Sequence, residues 1–277
     1  MQENYENIAG NRMKPQDNTL YEGDCIEIMR QWDNDSVDHC ITDPPYNMSK
    51  KNGLGWAFSS HVTMNEDWDI YPRDEYLEFC RAWLGEVCRV VRPNGNIFIF
   101  GSFHNIYDLG HIIHDLGLKV INSIVWFKPN AQPNITCRTL TESTEHVIWA
   151  CNAQQDKATG WVFNYDVAKQ LNDGKQMRNM WNIPYPSASE RRHGKHPSQK
   201  PLAVIGRIVL IATNPGNLIL DCFGGSGTTA VVAQSYGRRW VTIENSPEYN
   251  QIARSRLANV RVPLPAEILR PKLNLRT

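Results

Sequence analysis

The sequence predicts an α/β fold with a doubly wound sheet, and three observations carry that expectation. Short apolar runs of strand length alternate with segments whose apolar residues recur at helical spacing. The run Ile97-Phe98-Ile99-Phe100 is apolar on both faces, as a central parallel strand must be. Later in the chain, an apolar strand, a glycine-rich loop, a helix and a strand ending in an acid follow one another between Asn217 and Glu244.

Taken in order, residues 1–18 are a polar tail, and Thr19-Leu20-Tyr21 is a short strand. Asp24 caps a helix in which Ile28 and Met29 face inward. Residues 37–42 form a mostly buried strand that Pro44 stops, because proline has no N–H for a sheet ladder. Residues 47–68 show no periodicity, which suits a lid or substrate-gripping loop and equally a plain connector. From Arg73 to Val91, Tyr76, Leu77, Cys80, Trp83, Leu84, Val87 and Val91 fall at helical spacing, and Pro93-Asn94-Gly95 ends that helix. The strand around Ile97 is followed by a helix over 102–116 and a strand over 120–127. Beyond the proline-rich stretch 128–200 come a helix over 202–213, a strand over 217–221, a helix from 228 or 229 to about 236, a strand over 238–244 and a helix over 247–257. Glu145-His146-Val147-Ile148-Trp149-Ala150 is strand-like, and a helix is expected over 166–171.

Composition narrows the class. Of the 277 residues, 41% are hydrophobic and 21% charged, as in ordinary globular proteins. The start of the chain has no apolar h-region, and no apolar run reaches the roughly 20 residues of a membrane span. The seven cysteines are an odd number without a C-x-x-C pair, which speaks against a zinc site or disulfide framework and for a reducing cytoplasm. Net charge is zero, yet residues 1–100 hold nine Lys/Arg against seventeen Asp/Glu, and residues 101–277 hold twenty against twelve. That asymmetry permits a basic face on a neutral protein, or charges scattered over its surface.

Two stretches carry chemistry. In Thr42-Asp43-Pro44-Pro45-Tyr46-Asn47 the two prolines hold the backbone extended, giving a rigid rim with a carboxylate, a carbonyl and an aromatic ring; alone, it is also an acceptable surface turn. The second is Asp221-Cys222-Phe223-Gly224-Gly225-Ser226-Gly227-Thr228, followed 23 residues beyond Asp221 by Glu244. A terminal carboxylate at about that offset binds ribose hydroxyls in Rossmann-like halves. Asp221 would repel a pyrophosphate and attract a cation, so a nucleoside with a positive centre, S-adenosylmethionine, fits better than a dinucleotide. Paired with this pocket, Asp43 and the carbonyl of Pro44 would each accept one N–H of a nucleobase amine and aim its lone pair at the methyl group, while Tyr46 stacks on a flipped base. Between the two stretches, basic residues interleave with Trp161, Tyr165, Trp181 and Tyr185, which suits a nucleic-acid surface as well as solvated loops.

With Asp-Pro-Pro-Tyr ahead of the cofactor loop, the chain resembles the β group of DNA amino-methyltransferases, the adenine-N6 enzymes of restriction-modification systems. Further matches are Gly101-Ser102-Phe103-His104-Asn105-Ile106-Tyr107, Trp126-Phe127-Lys128-Pro129-Asn130 and Lys195-His196-Pro197-Ser198-Gln199-Lys200-Pro201. The resemblance implies a circularly permuted Rossmann-like methyltransferase with a catalytic half over 19–129, an inserted target-recognition region over 130–195, a cofactor half over 196–259 and an extension over 260–277. It implies catalysis by Asp43, Pro44, Pro45 and Tyr46. The cofactor would be held by Asp24, Cys25, Asp43, Lys200, Pro201, Asp221, Phe223, Gly224, Gly225, Ser226, Gly227, Thr228, Glu244 and Asn245. The DNA contacts would be Asn47, Trp126, Lys128, Asn130, Arg138, Arg178, Arg191, Arg192, Lys195 and His196. His193 and His196 are expected to pack or face solvent rather than act as bases. Cys222 stands where the family usually has proline. The expected partner is DNA, double-stranded and also single-stranded, with a homodimer as the assembly, no membrane and no metal. Cytosine N4 is the alternative target, and a silent nucleoside-binding module is the alternative class.

Overall fold

A strand that is apolar on both faces must be covered twice, and this requirement organises the molecule. The computed structural model describes residues 12–48, 69–134, 137–154 and 159–260. Expectations for most of the loop 47–68, for nearly all of the extension 260–277 and for the tail before residue 12 fall outside the described residues.

The elements run β1 (Thr19–Glu22), α1 (Cys25–Arg30), β2 (His39–Thr42), α2 (Arg73–Val90), β3 (Asn96–Gly101), α3 (Ile106–Asp115), β4 (Leu118–Phe127), β5 (Thr144–Gln154), α4 (Tyr165–Leu171), β6 (Met180–Asn182), α5 (Leu202–Ala212), β7 (Leu218–Asp221), α6 (Thr228–Ser235), β8 (Arg239–Glu244) and α7 (Pro247–Ala258). All eight strands form one sheet in the order β1-β8-β7-β2-β3-β5-β4-β6. Among the described residues every strand pairing is parallel except the two made by β5, which is the one reversed strand there.

Side chains alternate across the sheet with a period of two. Cys40, Ile97 and Ile99 pack with Met29, Trp83, Leu84, Leu109 and Ile113 from α1, α2 and α3. Ile41, Phe98 and Phe100 point the other way, into Ile205, Ile208, Val209 and Val232 from α5 and α6. Helix α2 shows how the pattern works: Tyr76, Cys80, Trp83, Leu84, Val87 and Val90 are its buried face. It ends before Arg92-Pro93, since the residue ahead of a proline disfavours helical backbone. Trp83 is fully buried, and replacing such a residue by alanine costs about 3–5 kcal/mol.

Successive strands leave the centre in opposite directions, β2 to β3 on one side and β7 to β8 on the other, so the topology switches between β2 and β7. These two pair through His39↔Ile219 and Cys40↔Leu220. His39 ties the seam: its Nδ1 accepts the Asn96 N–H at 3.0 Å, which leaves Nε2 to donate to Asn217 Oδ1 at 3.1 Å. Burial lowers its pKa to about 4, consistent with a neutral ring.

Two expectations shift. The helix expected from Ser102 begins at Ile106, because Asn105 Oδ1 accepts the Ser102 N–H at 3.0 Å and turns the chain first. The segment 130–195, expected as an inserted region, supplies β5, which lies between β3 and β4, and the short edge strand β6. A strand that fills the gap between two core strands is part of the scaffold.

Candidate active site

Crevices at switch points open beyond the carboxyl ends of the strands. Here that edge carries Gly23 and Asp24 after β1, Asp43 after β2, Cys222 to Ser226 after β7, and Asn245 after β8, all lining one cavity. The reversal of β5 brings its first residues to the same edge: Glu145 lies opposite Trp126, near the end of β4.

The rim is held tightly. The Tyr46 hydroxyl lies 2.6 Å from Asp43 Oδ1 and 3.1 Å from Glu145 Oε2. Lys200 Nζ donates to Asp43 Oδ2 at 2.6 Å, to the Ser198 carbonyl at 3.3 Å, and pairs with Glu145 Oε2 at 3.2 Å. Lys128 Nζ donates to the other Glu145 oxygen at 3.2 Å. Two lysines and two carboxylates thus form an enclosed, charge-balanced chain, and the Lys200 ammonium lies over the Tyr46 and Phe100 rings at 5.2 and 5.6 Å. Burial raises the Asp43 carboxyl above its usual range despite Lys200. Burial acts on Glu145 in the same sense, but Lys200 and Lys128 outweigh it and hold this carboxyl below its usual range. Both prolines line the cavity, and the Pro45 carbonyl accepts the Tyr76 hydroxyl at 2.8 Å. Behind the rim, Asp69 accepts the N–H groups of Asn47 and Met48 at 2.6 and 2.9 Å.

The glycine loop is fixed by backbone groups. Glu244 accepts the Gly225 N–H at 2.7 Å and the Ser246 N–H at 2.8 Å. Asp221 Oδ1 accepts the Thr42 hydroxyl at 2.9 Å and the Phe223 N–H at 3.2 Å, and burial lifts its pKa to about 6. Only glycine fits at 224: a Cβ there would stand 2.1 Å from Thr242 Oγ1. Gly225 has φ +50, and His196 Nε2 lies 2.9 Å from where its Cβ would be. Arg256, from α7, reaches beneath the loop to the Ser226 carbonyl, the Ser226 hydroxyl and the Thr228 hydroxyl at 2.8, 2.8 and 2.9 Å.

The lining includes five carboxylates, Asp24, Asp43, Asp69, Asp221 and Glu244, against the single ammonium of Lys200. Such a donor set fits a nucleoside carrying a sulfonium and an ammonium. Of the residues expected to hold the cofactor, Pro201 and Gly227 are not among the lining. Pro201 is buried ahead of α5, and Gly227 caps α6 with φ 75. Asp69, Tyr71 and Tyr249 line the cavity without having been singled out.

Several expected DNA contacts are interior groups. Trp126 is buried with its indole N–H donated to the Ile183 carbonyl at 2.7 Å, and Lys128 is buried against Glu145. His196 packs on Tyr249 with ring centroids 4.3 Å apart, and burial lowers its pKa to about 3, so it is neutral and faces the cofactor loop. Asn47 is half-buried and accepts the Tyr71 N–H at 2.8 Å. Asn130, Arg138, Arg178, Arg191, Arg192 and Lys195 are exposed. Glu145 is the charged residue of the rim that sequence reasoning passed over. Its signal was present: a carboxylate opening an otherwise apolar strand needs a buried partner.

An α/β sheet with an acidic cavity at its switch point, built from a glycine loop and a rim acid, defines a class of nucleoside-dependent transferases. Residues 37–255 match the DNA methylase family, and the chain belongs to it. It is 41% identical over 240 residues, 86% of this chain and 88% of the relative, to Type II methyltransferase M2.DpnII of Streptococcus pneumoniae. It superposes with a TM-score of 0.63 on the crystal structure of an M1.HpyAVI–SAM complex, at 30% identity, covering 86% of this chain and 98% of the other. The fold is shared with PvuII DNA methyltransferase, a cytosine-N4-specific enzyme, at TM-score 0.69, 19% identity, and 94% and 95% coverage. The protein is therefore an S-adenosylmethionine-dependent DNA methyltransferase with a Rossmann-like fold.

Proposed function

We propose that the protein methylates N6 of adenine within a short DNA sequence, with Asp43 and the Pro44 carbonyl as acceptors for the two amine hydrogens. The observation that carries this reading is the position of Asp43, just past the end of β2, in one cavity with Asp221 at the end of the neighbouring β7, to which Thr42 is hydrogen-bonded. When bound, S-adenosylmethionine supplies an electrophilic methyl group on a sulfonium.

The chain's own residues do the rest. Asp221 and the loop Phe223–Ser226 hold the charged end of the cofactor, and Glu244, its carboxylate already oriented by two backbone amides, takes the ribose hydroxyls. Asp24, the cap of α1 at 2.9 Å from two backbone amides, meets the adenine edge. An exocyclic amine is a weak nucleophile because its lone pair is delocalised into the ring. Two fixed acceptors on its hydrogens favour the pyramidal form and direct that lone pair into the cavity. Tyr46 covers the base, which has to leave the helical stack to reach this depth. Burial keeps the Tyr46 phenol neutral, so it donates to carboxylates and takes no proton. His196, neutral and turned to the loop, leaves the amine proton to solvent.

Exposed Arg138, Arg178, Arg191, Arg192 and Lys195 supply phosphate contacts. A single strand offers the same base without the unstacking cost, so single-stranded DNA falls within the substrate range. Seven cysteines without a disulfide suit a reducing cytoplasm, and the exposed Phe103 and Tyr107, just before and within the first turn of α3, suit a homodimer contact. The test is to incubate the enzyme with methyl-labelled cofactor and duplex DNA, digest, and identify the labelled nucleoside. N6-methyladenine is expected; N4-methylcytosine would transfer the reading to the other amine, and no labelled nucleoside would leave only a binding module.

A further inference from the structure

Both oxygens of Asp43 are occupied before any base arrives. Oδ1 has the Tyr46 hydroxyl and Oδ2 has the Lys200 ammonium, each at 2.6 Å. Each oxygen keeps a second lone pair, but an oxygen already polarised by so short a bond is a weaker acceptor for a neutral amine than one whose first partner has moved away. One other acceptor touches both donors. Glu145 Oε2 lies 3.1 Å from the same hydroxyl and 3.2 Å from the same ammonium. The remaining Glu145 oxygen is anchored by Lys128, so Glu145 is fixed in place and stays charged.

We propose that Glu145 is a positioning residue that frees Asp43 for the target base, taking over the Tyr46 hydroxyl and the Lys200 ammonium when the amine docks. The phenol has one proton to give, so a shift towards Glu145 is a withdrawal from Asp43. Lys200 remains paired throughout, and the negative charge left on Asp43 is what the amine N–H then meets. In the resting state Asp43 is therefore latched, and Glu145 is the second seat that makes the latch reversible. This inference rests on the reading of Asp43 as the amine acceptor and adds how that acceptor becomes available.

The groups facing Asp43 are Lys200, Tyr46 and Glu145 around the rim, with Asp221 across the switch point. Glu145→Gln removes the alternate seat and a neighbouring negative charge. The expected result is a kcat reduced about 10- to 100-fold on duplex DNA, with cofactor affinity within about twofold of the parent. The acidic limb of the kcat profile should also move to lower pH by about one unit, because Asp43 loses a like charge and keeps Lys200 to itself. The double variant K128M/E145Q removes the buried pair together and protects against misfolding of the single one. It should remain as slow as Glu145→Gln and keep the displaced limb. Recovery of the parent kcat in the double variant would mean that Glu145 only balances Lys128, and an unmoved limb in both variants would equally overturn the proposal. Asp43→Ala, run alongside, separates the two levels: full transfer there sinks the acceptor reading, whereas a dead Asp43→Ala with a normal Glu145→Gln sinks only the latch.

Discussion

The two halves of the cavity hold their acids by different means. On the cofactor side, Asp221 and Glu244 are oriented by the backbone N–H groups of Phe223, Gly225 and Ser246 and by the Thr42 hydroxyl. On the catalytic side, Asp43 is held by two side chains, Lys200 and Tyr46, that have a second acceptor within reach. Backbone donors set by a loop do not leave when a ligand arrives, so the cofactor half is preformed. Side-chain donors can be exchanged, so the catalytic half can rest closed and open on demand. The difference teaches that burying a carboxylate is compatible with binding only if its partners either stay and leave lone pairs over, or have somewhere to go.

The largest expected effect lies on the exchangeable side. Asp43→Ala should lose at least about 10³-fold in transfer, about 4 kcal/mol of transition-state stabilisation, while cofactor binding by calorimetry stays within about threefold. A lost cofactor affinity would erase the division between the halves. Next comes Glu244→Ala, for which the reverse is expected: about 10²-fold weaker cofactor binding, since both the ribose acceptor and the anchor of the Gly225 and Ser246 amides disappear.

The third effect is a pH dependence confined to the preformed side. The Asp221 pKa, lifted to about 6 by burial, means that the carboxylate is protonated below that pH in the free enzyme. A cationic ligand prefers the ionised form, so binding releases a proton, and affinity should fall by up to about tenfold per pH unit below pH 6. Calorimetry in two buffers of different ionisation enthalpy reads the released proton directly; a flat profile between about pH 5 and 7 would detach Asp221 from the cation. For Asp221 itself the sign in stability is the opposite. A carboxyl raised by folding contributes stability at acidic pH, and that contribution is lost as pH rises through about 6. The smallest effect belongs to neither half: Arg178→Ala should weaken DNA binding a few-fold at low salt and reduce the salt slope by about one.

Much of this was legible in the chain. Strand, helix and cap positions follow from local rules, and the helical spacing of Tyr76 to Val90 places α2 to within a residue. Both ends of the switch point are marked by their own motifs, because an acid that ends a strand beside Pro or Gly has few structural reasons to be there. Less legible was the stretch after Lys128. Its prolines and basic residues describe a surface, and Glu145–Ala150 reads as a strand within it, but only the sheet shows that Thr144–Gln154 lies between β3 and β4. Apolar spacing marks a strand without saying which strands it pairs with. Lys128 and Trp126 show the limit most clearly: the resemblance implies DNA contacts for both, and only packing reveals them as a buried counter-ion and a sealed indole.

What the sequence determined by itself is the set of parts: an α/β chain, a proline-stiffened acid, and a glycine loop with a distant carboxylate. Each rests on contacts a few residues apart, where backbone sterics and spacing decide. The direction of β5 is another matter. Neither apolar periodicity nor β propensity distinguishes a strand running up from one running down. Reversal comes with β5 turning back alongside β4 into the gap between β3 and β4, so that it starts at the edge where β4 ends. That reversal puts Glu145 among Lys128, Lys200 and Tyr46, and so turns the rim from a fixed acceptor into one with a second seat beside it.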